Sequence, residues 1–225
     1  MKRLRTIGTV LAALMALFAL GASSAMAVGP LGFLPNVANP IIASTVSAGE
    51  LTTLGGLISI KCAGGSVTGK IDSEDVALFD VNFNTCTALG FQSNSLGDAA
   101  GTILTGTLDG ELCVIKTSPT LEIGLYISGV NVHIEVPSLG ALIIVHGSII
   151  GKVTPLNSLK KGKFVVSFVT AGSGDQTDTK CTNLSGTVLN ASLLSNRDAA
   201  HTVDESSAIK QTGEVEFEKT VEVME

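Results

Sequence analysis

Residues 79–84 read Phe-Asp-Val-Asn-Phe-Asn, and this short run decides the fold class. Phe79, Val81 and Phe83 alternate with polar residues, so one side of an extended chain is apolar and the other is wet. This alternation is typical of a strand in an antiparallel sheet whose outer face meets water. The run therefore predicts β structure, with the core on the side of the two phenylalanines.

Outward from this run, short apolar stretches recur between glycine-rich turns, and no long stretch has the spacing of an amphipathic helix. Many short strands with such turns indicate an all-β fold, either a β-sandwich or a flattened barrel of mainly antiparallel strands. Residues 139–150 are the most apolar stretch of the mature chain, and we expect them to form a central pair of strands. Glu214, Glu216 and Glu218 share one side of the last predicted strand, a pattern that favours an edge position.

The N-terminus has the three parts of an export signal. Lys2, Arg3 and Arg5 precede an apolar run over residues 7–20, and Ala25-Met26-Ala27 fits a signal-peptidase site. We therefore assign residues 1–27 to a signal peptide and expect a secreted mature chain that begins at Val28. Pro30, Pro35 and Pro40 then predict an extended arm over residues 28–47, because proline lacks a ladder donor. Residues 48–225 remain for a single β domain.

All four cysteines lie in the mature part: Cys62, Cys86, Cys113 and Cys181. An even count in an oxidising compartment predicts two disulfides, for which three connectivities exist. We choose Cys62–Cys86 with Cys113–Cys181, because the first pair could clip neighbouring strands of one meander. The spacing contains no C-x-x-C, so a zinc knuckle or a redox pair is not expected.

The composition argues against several classes of function. Signal cleavage removes three cations from a chain of net charge −6, so the mature chain carries −9. Arg197 is then its only arginine, Tyr126 is its only tyrosine, and tryptophan is absent. Nucleic-acid binding needs clustered Lys and Arg, and single-strand binding needs stacked aromatic rings. We expect no nucleic-acid partner and no transmembrane span.

Candidate chemistry is sparse. His133 and Glu135 lie two residues apart on a predicted strand, so both face the same way and could bind a metal ion with His146 or His201. Scattered histidines in a β protein are a weak signal, so we predict no metal site, with His133 and Glu135 as the weak candidates. There is no G-x-S-x-G motif. We predict no catalytic residue, no cofactor and no enzymatic activity.

Several short motifs link the chain to other sequences. They are Cys62 with Gly69, the run 83–86, the run 100–103, the run 151–157 and the stretch 168–176. With the acidic terminal strand, these resemble a group of secreted actinobacterial proteins of unknown function. The resemblance covers most of the mature chain and implies an exported β domain at the cell envelope or outside the cell. It implies no activity, substrate or cofactor.

These observations lead to two functional hypotheses. The first is a non-enzymatic structural or adhesive domain, secreted or bound to the envelope, that acts on envelope components or on copies of itself. The alternative is an extracellular carrier of a small apolar, lipid-like ligand, held between sheets or inside a barrel. A dry interior larger than its side chains can fill would favour the carrier.

Overall fold

The computed structural model describes residues 32–34, 38–155, 163–172, 174–197 and 203–224. The predicted signal peptide lies outside these residues. In the described ranges nearly all regular structure is β, which confirms the predicted fold class. The strands are β1 Gly32–Leu34, β2 Asn39–Val46, β3 Gly49–Thr53, β4 Ile58–Cys62, β5 Gly64–Ile71, β6 Val76–Asn84, β7 Thr87–Ala88, β8 Phe91–Gln92, β9 Asn94–Ser95, β10 Ile103–Lys116, β11 Glu122–Val136, β12 Ala141–Thr154, β13 Lys163–Phe168, β14 Lys180–Asn183, β15 Val188–Asn190, β16 Leu193–Asn196, β17 Glu205–Ser206, β18 Ala208–Phe217 and β19 Glu222–Met224. Two single-turn 3-10 helices, Leu54–Gly56 and Pro137–Leu139, lie in turns.

Eight of these strands close into an antiparallel barrel. The ring runs β2–β5–β6–β10–β11–β12–β13–β18 and returns to β2. Of the two architectures the sequence left open, the fold is thus the barrel. Closure gives every barrel strand two partners, so the ring itself has no unpaired edge.

Two glycine bulges keep the apolar residues inside. On β11 the inward residues change from odd to even numbers after Ile127, where one extra residue shifts the register. Gly129 occupies this position with φ +79°, a conformation that costs glycine least. Gly106, with φ +68°, does the same on β10 opposite β6. Without these bulges the second half of each strand would turn its core residues towards water.

The remaining strands cap or flank the barrel, and they make its two ends different. At one end, the antiparallel pair β1–β19 and the turn of residues 72–75 lie over the ring; we call this the plugged end. At the other end, β18 continues beyond the ring and carries a small sheet in the order β18–β3–β4–β7–β8. We call this the hairpin end. Strands β14 to β17 lie against β10 and β12.

Three expectations are corrected by this topology. Residues 39–46, placed in an extended arm by the sequence, form strand β2 of the barrel. The glutamate-bearing strand β18 is not an edge, because it pairs with β13 and β2; its glutamates point outwards, and Lys163 binds Glu214 at 3.2 Å. Residues 141–150 belong to one long strand, β12, instead of a central strand pair.

Both disulfides have the chosen pairing, Cys62–Cys86 and Cys113–Cys181. Cys86 follows the alternating run with the wrong parity to face inwards. The structure resolves this because β6 ends at Asn84 and Thr85 takes φ +52°, after which Cys86 is fully buried. The first disulfide lies at the hairpin end, where Cys62 ends β4. The second ties β10 to β14 at the plugged end.

Candidate functional site: the barrel cavity

The barrel interior contains an apolar cavity of about 200 Å³. Inward residues of all eight barrel strands line it, so no single motif in the sequence marks it. Six of the eight phenylalanines of the chain are among the lining residues: Phe33, Phe79, Phe83, Phe164, Phe168 and Phe217. Phe164 and Phe217 meet edge to face, with ring centroids 6.1 Å apart. An eight-stranded barrel is just wide enough either to be filled by its side chains or to hold one small ligand.

Small inward side chains leave this barrel unfilled. Five inward valines pack against the core yet stay only partly buried, because their free surface faces the cavity: Val67, Val81, Val130, Val166 and Val215. Gly213 gives the clearest evidence. It occupies an inward position of β18 between Gln211 and Val215, and a Cβ added there would meet no atom within 4 Å. In a tightly packed core such an atom would touch several neighbours.

The few polar groups of the lining bond to the barrel itself. The Thr105 hydroxyl accepts a hydrogen bond from Val81 N–H at 2.9 Å and donates to the Gly106 carbonyl at 2.8 Å. This hydroxyl fills the gap that the bulge opens in the β6–β10 ladder. Gln211 is buried and donates through Nε2 to the Ser47 carbonyl at 2.9 Å. A bound molecule would therefore be held by apolar contact and shape.

The two ends of the cavity are covered differently. At the plugged end Phe33 is 5% exposed and belongs to the main hydrophobic core, and Val221 is fully buried. Asn39 fixes this closure: its Nδ2 donates to the Lys219 carbonyl at 3.1 Å, and Lys219 N–H donates to its Oδ1 at 3.0 Å.

At the hairpin end the lining continues into the outer sheet. Gly49, Leu51, Ile60 and Cys62 of β3 and β4 line the cavity there. Glu50 accepts a hydrogen bond from the Ser59 hydroxyl and lies opposite Lys61 in the β3–β4 ladder. The Cys62–Cys86 disulfide thus joins a residue of the lining to the segment after β6.

The weak metal candidates lie away from the cavity. His133 and Glu135 share the outer face of β11, and Glu135 accepts a hydrogen bond from Asn94 Nδ2 at 2.7 Å. His146 binds Asp204 instead, with 3.0 Å between Nε2 and Oδ1, and His201 lies outside the described residues. The bonds from His146 and then Asn196 hold the pKa of the Asp204 carboxyl below its usual range. Within the described ranges no three His, Cys, Asp or Glu side chains come together as a metal site.

Comparisons with protein-family models, with curated proteins and with solved structures gave no match to this chain. No helix in the described part of the chain has the length and apolar character to cross a membrane.

Sequence reasoning alone missed most of the residues that line this site. The alternation at 79–84 marks Phe79, Val81 and Phe83 as inward, and that part is correct. Gly213 carries no such signal, since a glycine between Thr212 and Glu214 is typical of an exposed turn. Its inward position on β18, which the pairing with β13 and β2 sets, gives it a role.

Proposed function

We propose that this chain is an exported, non-catalytic binding protein whose barrel holds one small, uncharged, apolar molecule. The observation that carries the proposal is the unfilled interior, and above all the empty space in front of Gly213. Of the two functions expected from the sequence, the cavity supports the carrier. The structural or adhesive role stays a prediction, as does the likeness to secreted actinobacterial proteins.

The chemistry of the lining sets the class of ligand. An engineered apolar cavity of about 150 Å³ stays dry and binds benzene or xenon. A cavity of about 200 Å³ has room for a somewhat larger hydrocarbon, such as one with two fused rings. A charged or strongly polar molecule would lose its hydration for little gain here, because the polar side chains of the lining, Thr105, Gln211 and Glu50, already have hydrogen-bond partners.

Export is supported by the chain's N-terminus and by its disulfides. The signal-like residues 1–27 would direct the chain out of the cytoplasm. Two disulfides persist in oxidising compartments and are rare in reducing ones. An extracellular carrier of apolar molecules also has a physical rationale, since such molecules dissolve poorly in water.

The test is naphthalene binding, measured as a concentration-dependent rise in unfolding temperature of the secreted protein. Gly213→Leu places a side chain in the cavity, and we expect it to abolish the response while the free protein stays folded. Gly172→Leu is the matched control, because Gly172 is exposed and its added Cβ also meets nothing within 4 Å.

Val215→Leu adds a smaller volume to the same cavity. It replaces Gly213→Leu in the test if that variant does not fold. Two results would refute the proposal. One is a wild-type protein whose unfolding temperature naphthalene leaves unchanged. The other is an equal naphthalene response in the wild type and in a folded Gly213→Leu variant.

A further inference from the structure

Three neighbouring turns at the hairpin end expose large apolar side chains. They are the turn between β3 and β4, the turn between β7 and β8, and the 3-10 turn between β11 and β12. In each turn an exposed leucine is next to a glycine of positive φ: Leu57 follows Gly56, and Leu89 and Leu139 precede Gly90 and Gly140. Their exposed side chains are Leu57 (65%), Leu89 (63%), Phe91 (44%) and Leu139 (45%), which we call the apolar rim.

The rim is one continuous region next to the cavity. Strand β4 pairs with β7, β7 pairs with β8, and β8 lies against the turn of residues 137–139. Ile60, which lines the cavity, pairs with Ala88, the residue before Leu89. On the other side, Ile134 lines the cavity five residues before Leu139. The rim therefore lies beside the end at which the lining reaches the outer sheet.

The backbone of Leu89 is strained, and burial of its side chain does not offset the cost of that strain. Leu89 has φ +54°, in the left-handed region that hairpin turns of this kind normally fill with Asn, Asp or Gly. Leucine is disfavoured there because its Cβ approaches a carbonyl oxygen. Most of its side chain is nonetheless in water. Strain kept at an exposed position indicates a function for the side chain.

The charge distribution favours a lipid surface as the occupant. Residues 54–57, 88–92 and 137–140 contain no Asp, Glu, Lys or Arg, although the chain has a net charge of −6. Turn tips of this kind can enter a membrane interface without removing a charge from water. At the β3–β4 turn the Glu205 carboxylate lies beside the Gly55 backbone, so the charge nearest this turn comes from another strand. Convex tips from three separate turns also suit a deformable interface better than a protein groove.

We propose that the apolar rim inserts into the interface of an uncharged or zwitterionic lipid surface. The cavity end then faces the acyl region, and an apolar ligand exchanges between lipid and barrel without crossing water. The exchange step rests on the proposed function, whereas the docking step stands on the rim alone. A strongly anionic surface is disfavoured, because the mature chain carries −9.

Flotation of the secreted protein with phosphatidylcholine vesicles tests the docking step. We expect the wild type to float with the vesicles, and Leu89→Asn and Leu139→Ser each to lower the partition coefficient about tenfold. Asparagine suits the left-handed backbone at position 89, so this variant keeps its fold. Leu184→Asn is the control: Leu184 is an exposed turn leucine between β14 and β15, away from the rim, and we expect unchanged flotation.

The outcomes separate the two proposals. Docking is wrong if the wild type stays at the bottom of the gradient, or if the rim variants float as well as the wild type. It is also wrong if the lipid-free wild type is a dimer that Leu89→Asn dissociates, because the rim is then an interface between copies. A naphthalene response without flotation would leave the proposed function standing alone. Flotation without a naphthalene response would leave docking and remove the carrier.

Discussion

The two ends of the barrel use the same residue types in opposite ways. At the plugged end, Phe33 is buried over the cavity and the connecting turn is Asp72-Ser73-Glu74-Asp75. At the hairpin end, Phe91 is exposed and the turns are leucine next to glycine. A soluble domain normally places charge at its turns and phenylalanine in its core, as the plugged end does. This contrast is the reason for proposing that the hairpin end contacts a lipid surface.

Each end also carries one disulfide, and removing them gives the largest expected effects. Replacing both Cys113 and Cys181 by Ala should cost about 4.4 kcal/mol of unfolding free energy, because the bond closes a separation of 68 residues. Replacing both Cys62 and Cys86 should cost about 3.5 kcal/mol, since their separation is 24. Urea unfolding of the two double variants measures both. A greater loss from the Cys62–Cys86 variant would contradict the dependence on loop length.

Alanine substitution of Phe33 and Phe91 compares the packing of an aromatic ring at the two ends of the barrel. Phe33→Ala should lower the unfolding free energy by about 3 kcal/mol, because a buried aromatic side chain is lost from the core. Phe91→Ala should change it by less than about 0.5 kcal/mol, because the ring is already largely in water. Both are measured by urea unfolding at one pH. Equal losses would show that Phe91 packs as a core residue and would remove it from the rim.

Leu89→Asn separates the effect of the Leu89 side chain on the stability of the hairpin end from its proposed effect on lipid binding. We expect this substitution to raise the unfolding free energy by about 1 kcal/mol, since Asn tolerates the left-handed backbone that Leu89 adopts. Leu184→Asn should give no such gain, as Leu184 is not among the residues of positive φ. Thermal unfolding of both variants and of the wild type measures the two changes in stability. A loss of stability in Leu89→Asn would mean that Leu89 packs against its neighbours.

The smallest expected effect concerns the charges near the plugged end. Partial burial, and then the nearby Glu122 carboxylate, raise the pKa of Asp178 above its usual range, and Lys152 opposes them. The folded chain thus holds this proton more tightly than the unfolded chain, so stability is lost as the pH rises through the raised pKa.

Asp178→Asn should therefore stabilise the protein at neutral pH by a few tenths of a kcal/mol, the value being small because solvent screens the group. The gain should vanish as the pH falls below the pKa of Asp178. Unfolding measured from neutral to acid pH checks this. A gain that persists in acid would have a cause other than the charge.

Part of the candidate site was predictable. The alternation at Phe79, Val81 and Phe83 gave three lining residues. The parity of Cys86 called for either a bulge or a strand end before it, and the structure has the strand end. The edge prediction for β18 was wrong because an outward row of glutamates suits any strand with one wet face, whether at an edge or inside a closed ring. The proline-containing residues 39–46 could not be recognised as a barrel strand, because their partners are β5 and β18, far along the chain.

The β class, the inward face of the alternating run and the preference for two disulfides follow from side-chain period and residue chemistry, which are local properties of the chain. Closure of the sheet, the empty space in front of Gly213 and the position of three leucine turns at one end of the cavity are properties of the folded chain. Those features depend on which distant strands pair and with what register. Deleting Gly106 or Gly129 would shift the strand register by one residue and would move the core side chains after it to the outer face.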